Sequence, residues 1–193
     1  MSTLENNHLF RSATMDDLDE LLGLFNQYWE VMTGVVKFTT DDFESIFSTP
    51  GFDIGNSIQL VTSPQGEIVA SVLVIDVGNP PVHPSVYGCV REGYEGQGMG
   101  HYLLQWAESR AMQAVERCPE GSRVSMYLQT TPSHQPTIDL FEKSGLGVDT
   151  QNLSGATRLY TKAGMHVTHE FAIYEKELRA GEELSKQAGD HPF

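Results

Sequence analysis

The chain has 193 residues, 39% of them hydrophobic and 20% charged, which is typical of a soluble globular domain with a sizeable core. Its 26 acidic and 12 basic side chains give a formal net charge of −14, which argues against binding to the nucleic acid backbone. An acidic surface is compatible with a cationic amine ligand. The simpler interpretation, which we favour, is that the charge serves solubility. The chain has two cysteines, Cys89 and Cys118, and no apolar run of membrane-spanning or signal-peptide length. We therefore expect a cytoplasmic protein without a disulfide framework or a membrane partner.

The first 90 residues predict a strand, two helices and three further strands. In order these are a strand at 8–12, a helix with Leu18, Leu21, Leu22, Phe25 and Trp29 on its apolar face, a helix with Phe43, Ile46 and Phe47 inward, strands at 57–62 and 67–76, and a central strand at 87–90. Thr14 and Asp17 form a capping-box-like start for the first helix, and Thr40 can cap the second. The turn sequence Ser63–Gly66 predicts a hairpin between the second and third strands.

A glycine-rich turn follows the central strand and precedes a helix. Its glycines are Gly93, Gly96, Gly98 and Gly100, and the apolar stripe of the helix is Leu104, Ala107, Ala111 and Val115. Strand, glycine-rich turn and helix is the arrangement that directs unpartnered backbone N–H groups at a phosphate, since glycines present no side chain to obstruct it. A tight connection without a ligand is the alternative. The spacing matches neither the dinucleotide-binding fingerprint nor the P-loop.

A short segment appears twice in the second half of the chain. After a predicted half-buried strand at 123–130, residues 134–146 are echoed by residues 153–165. Leu140, Lys143 and Gly145 match Leu159, Lys162 and Gly164, and Phe141 matches Tyr160. Each copy predicts a short helix that ends at a glycine. A last strand at 166–178 and a polar, loosely ordered tail at 179–193 complete the predicted elements.

The segment from Tyr87 to Val115 resembles motif A of the GNAT superfamily of acyl-CoA-dependent N-acyltransferases. The signature of that motif is Arg or Gln, two residues, and then Gly-x-Gly or Gly-x-Ala; here the glycine pair is Gly98 and Gly100, and Glu95 stands in the Arg/Gln position. The resemblance implies that the cofactor-binding residues are Val90, which pairs with the pantetheine arm, and Gln97, Gly98, Met99, Gly100 and His101, whose N–H groups bind the pyrophosphate. An acidic side chain repels a pyrophosphate, so we expect Glu95 to point to solvent or to weaken binding.

Both copies of the repeated segment resemble motif B of the same superfamily, a helix that ends in Leu-Tyr-x-Lys-x-Gly-Phe. The second copy is the better match, and the segment around Asn152 is similar to single modules of mycothiol-synthase-like tandem GNAT proteins. In the family a tyrosine of this helix often protonates the leaving sulfur, which implies a catalytic role for Tyr160; Phe141 has no hydroxyl. Asn152 either orders a turn or donates to the cofactor. The sequence does not decide which copy lines the cofactor cleft.

The general base and the phosphate contacts each have several candidates. Asp76, His83 and Glu92 flank the central strands and could act as the general base, and we take Glu92 as the catalytic candidate. The cations that could contact the nucleotide phosphate, or be ordinary surface charges, are Arg91, Arg110, Lys143, Arg158 and Lys162. The scattered histidines do not predict a metal site.

Together these features predict an α/β (α+β) protein with the GNAT fold, a mixed, mostly antiparallel central sheet with helices on both faces. We expect one domain at 1–178, followed by the tail. The resemblance implies an N-acetyltransferase that moves an acetyl group from acetyl-CoA, without a metal, to a small-molecule or peptide amine. Two alternatives stay open: a catalytically degenerate GNAT-like domain that binds acyl-CoA or a protein partner only, and a structural half of a larger assembly such as a homodimer. The acceptor pocket is expected around residues 28–38.

Overall fold

The computed structural model describes residues 8–36, 38–149 and 170–184. The strands are β1 (Leu9–Ser12), β2 (Ile58–Thr62), β3 (Ile68–Ile75), β4 (Ser85–Val90), β5 (Val124–Thr130), β6 (Gly147–Val148) and β7 (Ala172–Arg179). The helices are α1 (Leu18–Thr33), α2 (Thr40–Phe47), α3 (Ile54–Ser57), α4 (Met99–Ala111) and α5 (Gln135–Lys143). Two 3-10 segments, Met15–Asp17 and Met112–Arg117, precede α1 and follow α4.

The strands of the described residues form one sheet in the order β1-β2-β3-β4-β5-β7-β6. Five of its neighbouring pairs are antiparallel, and β4 with β5 is parallel. The predicted hairpin joins β2 to β3, with Gly66 N–H donating to Ser63 O at 2.9 Å. The prediction of a mixed, mostly antiparallel sheet is therefore confirmed.

Helices cover both faces of this sheet, as predicted. On one face α1 and α2 bury Leu21, Phe25 and Phe43 against strand residues such as Leu73. On the other face α4 and α5 bury Leu103, Ala107 and Phe141 against residues such as Val72 and Val74. Because side chains alternate along a strand, β3 contributes side chains to both cores, and all of its residues are buried. The same reason corrects the prediction of a half-buried strand at 123–130: β5 is central, and six of its seven residues are buried.

The helix starts follow the capping chemistry of the sequence, with one shift. Thr14 and Asp17 form the predicted capping box before α1. The cap of α2 is Thr39 rather than Thr40: Thr39 Oγ1 accepts from Asp42 N–H at 3.2 Å, and Asp42 Oδ2 accepts from Thr39 N–H at 2.8 Å. The reciprocal pair requires a spacing of three residues, which Asp42 offers to Thr39.

The part of the predicted tail that the structure describes, residues 179–184, is packed against the protein. Arg179 donates to Ser122 O at 2.9 Å and to Pro119 O at 2.6 Å, and Glu182 N–H donates to Gly121 O at 2.8 Å. A loosely ordered tail is therefore wrong for residues 179–184. The second copy of the repeated segment (153–165) lies outside the described residues, as do residues 166–169 of the predicted last strand and residues 185–193.

Candidate active site

The parallel strands β4 and β5 separate along their length and open a cavity. Among the described residues their register is Ser85 with Tyr127 and Val86 with Leu128, and it extends no further toward Val90. The cavity has a volume of about 360 Å³ and is lined by both strands, by α1, α4 and α5, and by the loop between β4 and α4. The fold thus contains a splay between its fourth and fifth strands.

The N-terminus of α4 lies at this cavity and carries no side-chain cap. Gly98 precedes the helix with φ of +83°, in the left-handed region that glycine tolerates best, and no side chain caps the helix start. The first bond of the helix runs from Tyr102 N–H to Gly98 O at 3.1 Å. The N–H groups of Met99, Gly100 and His101 precede that bond, so the helix leaves them to an outside acceptor. A bare helix N-terminus with glycines on its approach suits an anion such as a diphosphate.

The structure brings together part of the predicted cofactor-binding set. Val90, Met99 and Gly100 line the cavity. Gln97, Gly98 and His101 belong to the same turn but are not among the lining residues; the His101 side chain is exposed, and Gln97 Oε1 lies 3.4 Å from His8 Nε2. Asn152 lies outside the described residues.

Gly100 also has a packing role that the sequence did not indicate. A Cβ at this position would lie 3.2 Å from Leu140 Cδ2, which is closer than side chains normally approach. The absence of a side chain at Gly100 therefore lets α5 approach the start of α4 closely. The first copy of the repeated segment forms this helix, and the cavity lining includes its residues His134, Thr137 and Phe141.

Glu95, the departure from the motif A signature, folds back onto its own loop. Its Oε2 accepts from Gly93 N–H at 2.7 Å, and the residue is exposed. The expectation that Glu95 faces solvent agrees with this exposure. The carboxylate nevertheless stays in the turn that leads to α4, where it adds negative charge near the candidate anion site.

Of the three candidate bases, one lies at the cavity. Glu92 lines it and is exposed. Asp76 is buried instead in an ion-pair network, with Arg110 at 2.7 Å and with Arg117, and His83 Nε2 lies 3.1 Å from Glu183 Oε1. Asp76 and His83 line a separate, smaller cavity of about 210 Å³, so sequence proximity to the central strands did not place them with Glu92.

Two of the three candidate phosphate cations that the structure describes, Arg91 and Arg110, are hydrogen-bonded to other groups of the protein. Arg110 is buried against Asp76, which corrects the expectation of a surface cation, because a buried guanidinium needs a carboxylate partner. Arg91 lines the cavity, but its Nη2 donates to Ile68 O at 3.0 Å and its Nη1 lies 3.4 Å from Glu67. Lys143 is exposed on α5. Arg158 and Lys162 lie outside the described residues, as does the predicted catalytic Tyr160.

A polar cluster lines the cavity: Tyr28 on α1, inside the stretch 28–38 where the acceptor pocket was expected, and His134 and Thr137 at the start of α5, which sequence reasoning did not connect with it. His134 Nδ1 lies 2.7 Å from Thr137 Oγ1, Thr137 is also hydrogen-bonded to the Tyr28 side chain, and the rings of His134 and Tyr28 meet edge to face at 6.2 Å. The signal available was the position of His134, which opens the first repeated copy. Spacing alone could not bring Tyr28 to it from 106 positions away.

Burial sets the protonation of this cluster. It lowers the pKa of His134 below the usual value of 6.5, and the negative charge of Glu95 opposes part of that shift. Burial also raises the pKa of Tyr28, while the hydrogen bond with Thr137 opposes it. At neutral pH the cavity therefore holds a neutral imidazole, which can accept a proton, and a neutral phenol.

Within residues 8–36, 38–149 and 170–184, no three His, Cys, Asp or Glu side chains are grouped so that they could hold a metal ion. In the same part of the chain, no helix combines the length and the apolar character needed to cross a bilayer. Both cysteines are buried and unbridged, and burial raises the pKa of the Cys89 thiol.

Comparison with solved structures shows several acetyltransferases of this fold. A GCN5-related N-acetyltransferase from Sphaerobacter thermophilus has 24% sequence identity and a TM-score of 0.65 over 76% of this chain and 45% of that chain. The present chain thus spans less than half the length of that protein. A GNAT superfamily phosphinothricin acetyltransferase from Sinorhizobium meliloti, in complex with AcCoA, has 15% identity and a TM-score of 0.60, over 93% of this chain and 92% of that one. YncA of Salmonella typhimurium, with its cofactor acetyl-CoA, has 13% identity and a TM-score of 0.64, over 90% and 95%.

No curated protein matches the sequence significantly. The sequence profile described as "Acetyltransferase (GNAT) family" matches residues 19–146, from the first turn of α1 to the end of the first repeated copy. The match covers more than half of the chain and includes the splayed strands, the bare helix N-terminus and α5. The chain therefore belongs to the acetyltransferase (GNAT) family.

Proposed function

We propose that this chain transfers an acetyl group from acetyl-CoA to an amine of a small molecule or peptide. The observation that carries the proposal is the uncapped N-terminus of α4 at the edge of the cavity between β4 and β5. The diphosphate of acetyl-CoA would bind to the N–H groups of Gln97, Gly98, Met99, Gly100 and His101, and Val90 would pair with the pantetheine arm. Among the described residues β4 has no ladder partner on its β5 side beyond Val86, which supports an extended arm running there.

The bound acetyl-CoA would supply the activated thioester, and the chain would supply proton transfer and position. An amine reaches the cavity as an ammonium ion, and the exposed carboxylate of Glu92 would attract it and take its first proton. Tyr160 would donate the proton that the leaving sulfur needs, and Asn152 would donate to the cofactor or order a turn. In this proposal residues 1–178 act as one cytoplasmic domain, similar to a single module of mycothiol-synthase-like proteins.

Acetyl-CoA calorimetry and thiol release together test this function. The acceptor panel is 2-phenylethylamine, spermidine, L-methionine, a short peptide with a free N-terminus, and phosphinothricin, which the name of one structural relative suggests. Binding of acetyl-CoA with thiol release on at least one amine supports the proposal. Binding without turnover on any of them favours the alternative of a degenerate acyl-CoA-binding domain, and the carboxylate of Glu95 and the missing hydroxyl at Phe141 both fit that alternative.

Two substitutions test the assignment of Tyr160. We expect Tyr160→Phe to lower kcat by about 10-fold or more with little change in acetyl-CoA affinity, because general acid catalysis of this kind contributes at least that much. The matched variant is Phe141→Tyr, which places a hydroxyl on α5 beside the cavity. An unchanged kcat in Tyr160→Phe would contradict the role, and a gain in Phe141→Tyr would transfer it to the first copy.

The second alternative concerns assembly. The sheet of the described residues ends on β1 at one edge and on the two-residue β6 at the other, and either edge could meet a second chain. A measurement of mass in solution separates monomer from homodimer. A monomer with full activity would exclude a structural half-domain.

A further inference from the structure

The polar cluster of Tyr28, Thr137 and His134 occupies the wall of the cavity where α1 meets α5. His134 is half-buried, and its Nδ1 is fixed by Thr137 Oγ1 at 2.7 Å. Thr137 is in turn bonded to Tyr28, whose ring meets the imidazole edge to face. If Nδ1–H donates to Thr137, the second ring nitrogen, Nε2, carries a lone pair that can accept a proton.

Acyl transfer to an amine requires the loss of two protons from nitrogen. The ammonium ion loses the first before it can attack, and the nitrogen loses the second as the amide forms. The exposed Glu92 suits the first step at the mouth, where water can carry the proton away. The second proton is released inside the cavity, where the imidazole of His134 lies and where a neutral acceptor is needed.

We propose that His134 takes this second proton from the acceptor nitrogen, with Thr137 and Tyr28 as positioning residues; this inference rests on the proposed acetyltransferase function. The nitrogen lone pair forms the C–N bond to the thioester carbonyl carbon, and the C–S bond breaks with its electron pair on sulfur. The proton on nitrogen passes to His134 Nε2, and the sulfur gains its proton from the donor proposed above, Tyr160. His134 and Tyr160 then exchange protons with solvent, so the cycle closes without another reactant.

The environment of His134 gives the pH dependence of this step. The titratable groups that face it are Tyr28 from α1 and Glu95 from the loop before α4, with Glu92 on the same cavity wall. Since burial lowers the pKa of His134 below 6.5, the base form is present at neutral pH, and activity should fall as the pH drops through that lowered pKa. Glu95→Gln removes a charge that favours the imidazolium, so it should move the fall to still lower pH.

The test compares His134→Asn with the wild-type protein on the panel amine that turns over. Asn retains a group that can bond to Thr137 Oγ1 but cannot titrate. We expect kcat at saturating substrates to fall by about 100-fold, the dissociation constant of acetyl-CoA to stay within about threefold, and the acidic inflection of kcat to disappear. Thr137→Val should shift that inflection and also shift the NMR titration of the His134 ring in the protein without substrate. The control is Gln135→Ala, an exposed neighbour on the same helix, which should leave all of these values unchanged.

The outcomes separate a failure of the proposed function from a failure of the role of His134. A wild-type protein that binds acetyl-CoA but acetylates no panel amine overturns the proposed function, and this inference with it. A wild-type protein that turns over while His134→Asn keeps its kcat and its acidic inflection overturns the inference alone. Loss of the inflection in Glu92→Gln but not in His134→Asn would also overturn it, because Glu92 would then take both protons.

Discussion

The two ends of helix α4 are built in opposite ways. At the C-terminal end the guanidinium of Arg110 donates to Asn56 O at 2.9 Å, to Ser57 Oγ at 3.2 Å and to both carboxylate oxygens of Asp76 at 2.7 and 3.0 Å. At the N-terminal end Gly98 contributes no side chain, and the first N–H groups of the helix are left for an outside acceptor.

At one end of α4 the polar groups are satisfied within the protein, and at the other end the backbone N–H groups are left for an outside acceptor. Arg110 and Asp76 are both buried, and a buried charge without its partner costs several kilocalories, so that end must be closed by the protein itself. Backbone N–H groups at an accessible helix end can be satisfied by water until a ligand arrives. The closed end of α4 thus serves stability, and the open end is available for binding an anion.

The largest expected effect comes from breaking the closed end. Asp76→Ala leaves the Arg110 cation buried without its carboxylate, so we expect the free energy of unfolding to fall by about 3–5 kcal/mol, as measured by urea denaturation. Arg117→Ala is the matched control: Arg117 also contacts Asp76, but its side chain is 47% exposed, and its loss should cost about 1 kcal/mol or less. Equal losses for the two variants would contradict the view that burial of Arg110 dominates this network.

The second prediction concerns the open end. Gly98 has φ of +83°, and Gly66 in the β2–β3 hairpin has φ of +89°. Alanine at either position should lower the free energy of unfolding by a similar amount, about 1–2 kcal/mol, because both conformations disfavour a Cβ. Only Gly98→Ala should also weaken acetyl-CoA binding, by about 10-fold or more on calorimetry, which corresponds to about 1.4 kcal/mol. Equal acetyl-CoA affinity in the two variants would remove the open end from the binding site.

The smallest expected effect tests whether the charge of Glu95 opposes anion binding at the open end. Glu95 holds a carboxylate in the turn before α4, and Glu95→Gln removes its repulsion of a diphosphate while keeping a group that can accept from Gly93 N–H. We expect the dissociation constant of acetyl-CoA to fall by about fivefold at low ionic strength, which is roughly 1 kcal/mol for one charge in a solvated site, and by less at high salt. Glu120→Gln, the same charge change in an exposed turn, should have no such effect. An affinity that is unchanged at every salt concentration would show that Glu95 does not act on the diphosphate.

The local elements were largely predictable because their causes are local. The capping box of Thr14 and Asp17, the hairpin turn at Ser63–Gly66 and the glycine that ends α5 each depend on residues within a few positions of one another. At the end of α5, Gly145 N–H donates to Glu142 O and Leu146 N–H donates to Phe141 O, both at 3.0 Å, as the sequence indicated for a glycine C-cap. The shift of the α2 cap from Thr40 to Thr39 is one residue, which is the usual uncertainty of such boundaries.

The site was predictable only where it is continuous in sequence. The turn from Gln97 to His101 was identified because five consecutive residues carry it, although its role in binding stays a prediction. The engagement of Arg110 by Asp76 and the contact of Tyr28 with His134 join residues 34 and 106 positions apart, and no spacing rule connects them. Sequence reasoning therefore offered Arg110 as a phosphate contact or an ordinary surface charge, and passed over His134.

Periodicity, capping and turn chemistry predicted most of the strands and helices and the glycine-rich turn from the sequence alone, because they act between near neighbours. The resemblance of the sequence motifs to the GNAT superfamily implied the family and the mixed sheet. The tertiary structure alone decided which polar groups meet: it buried Asp76 with Arg110, kept Glu92 at the cavity, and placed the first repeated copy beside α4. The physical reason is that desolvation and hydrogen bonding depend on distance in space, and the packing of helices on both faces of the sheet fixes that distance.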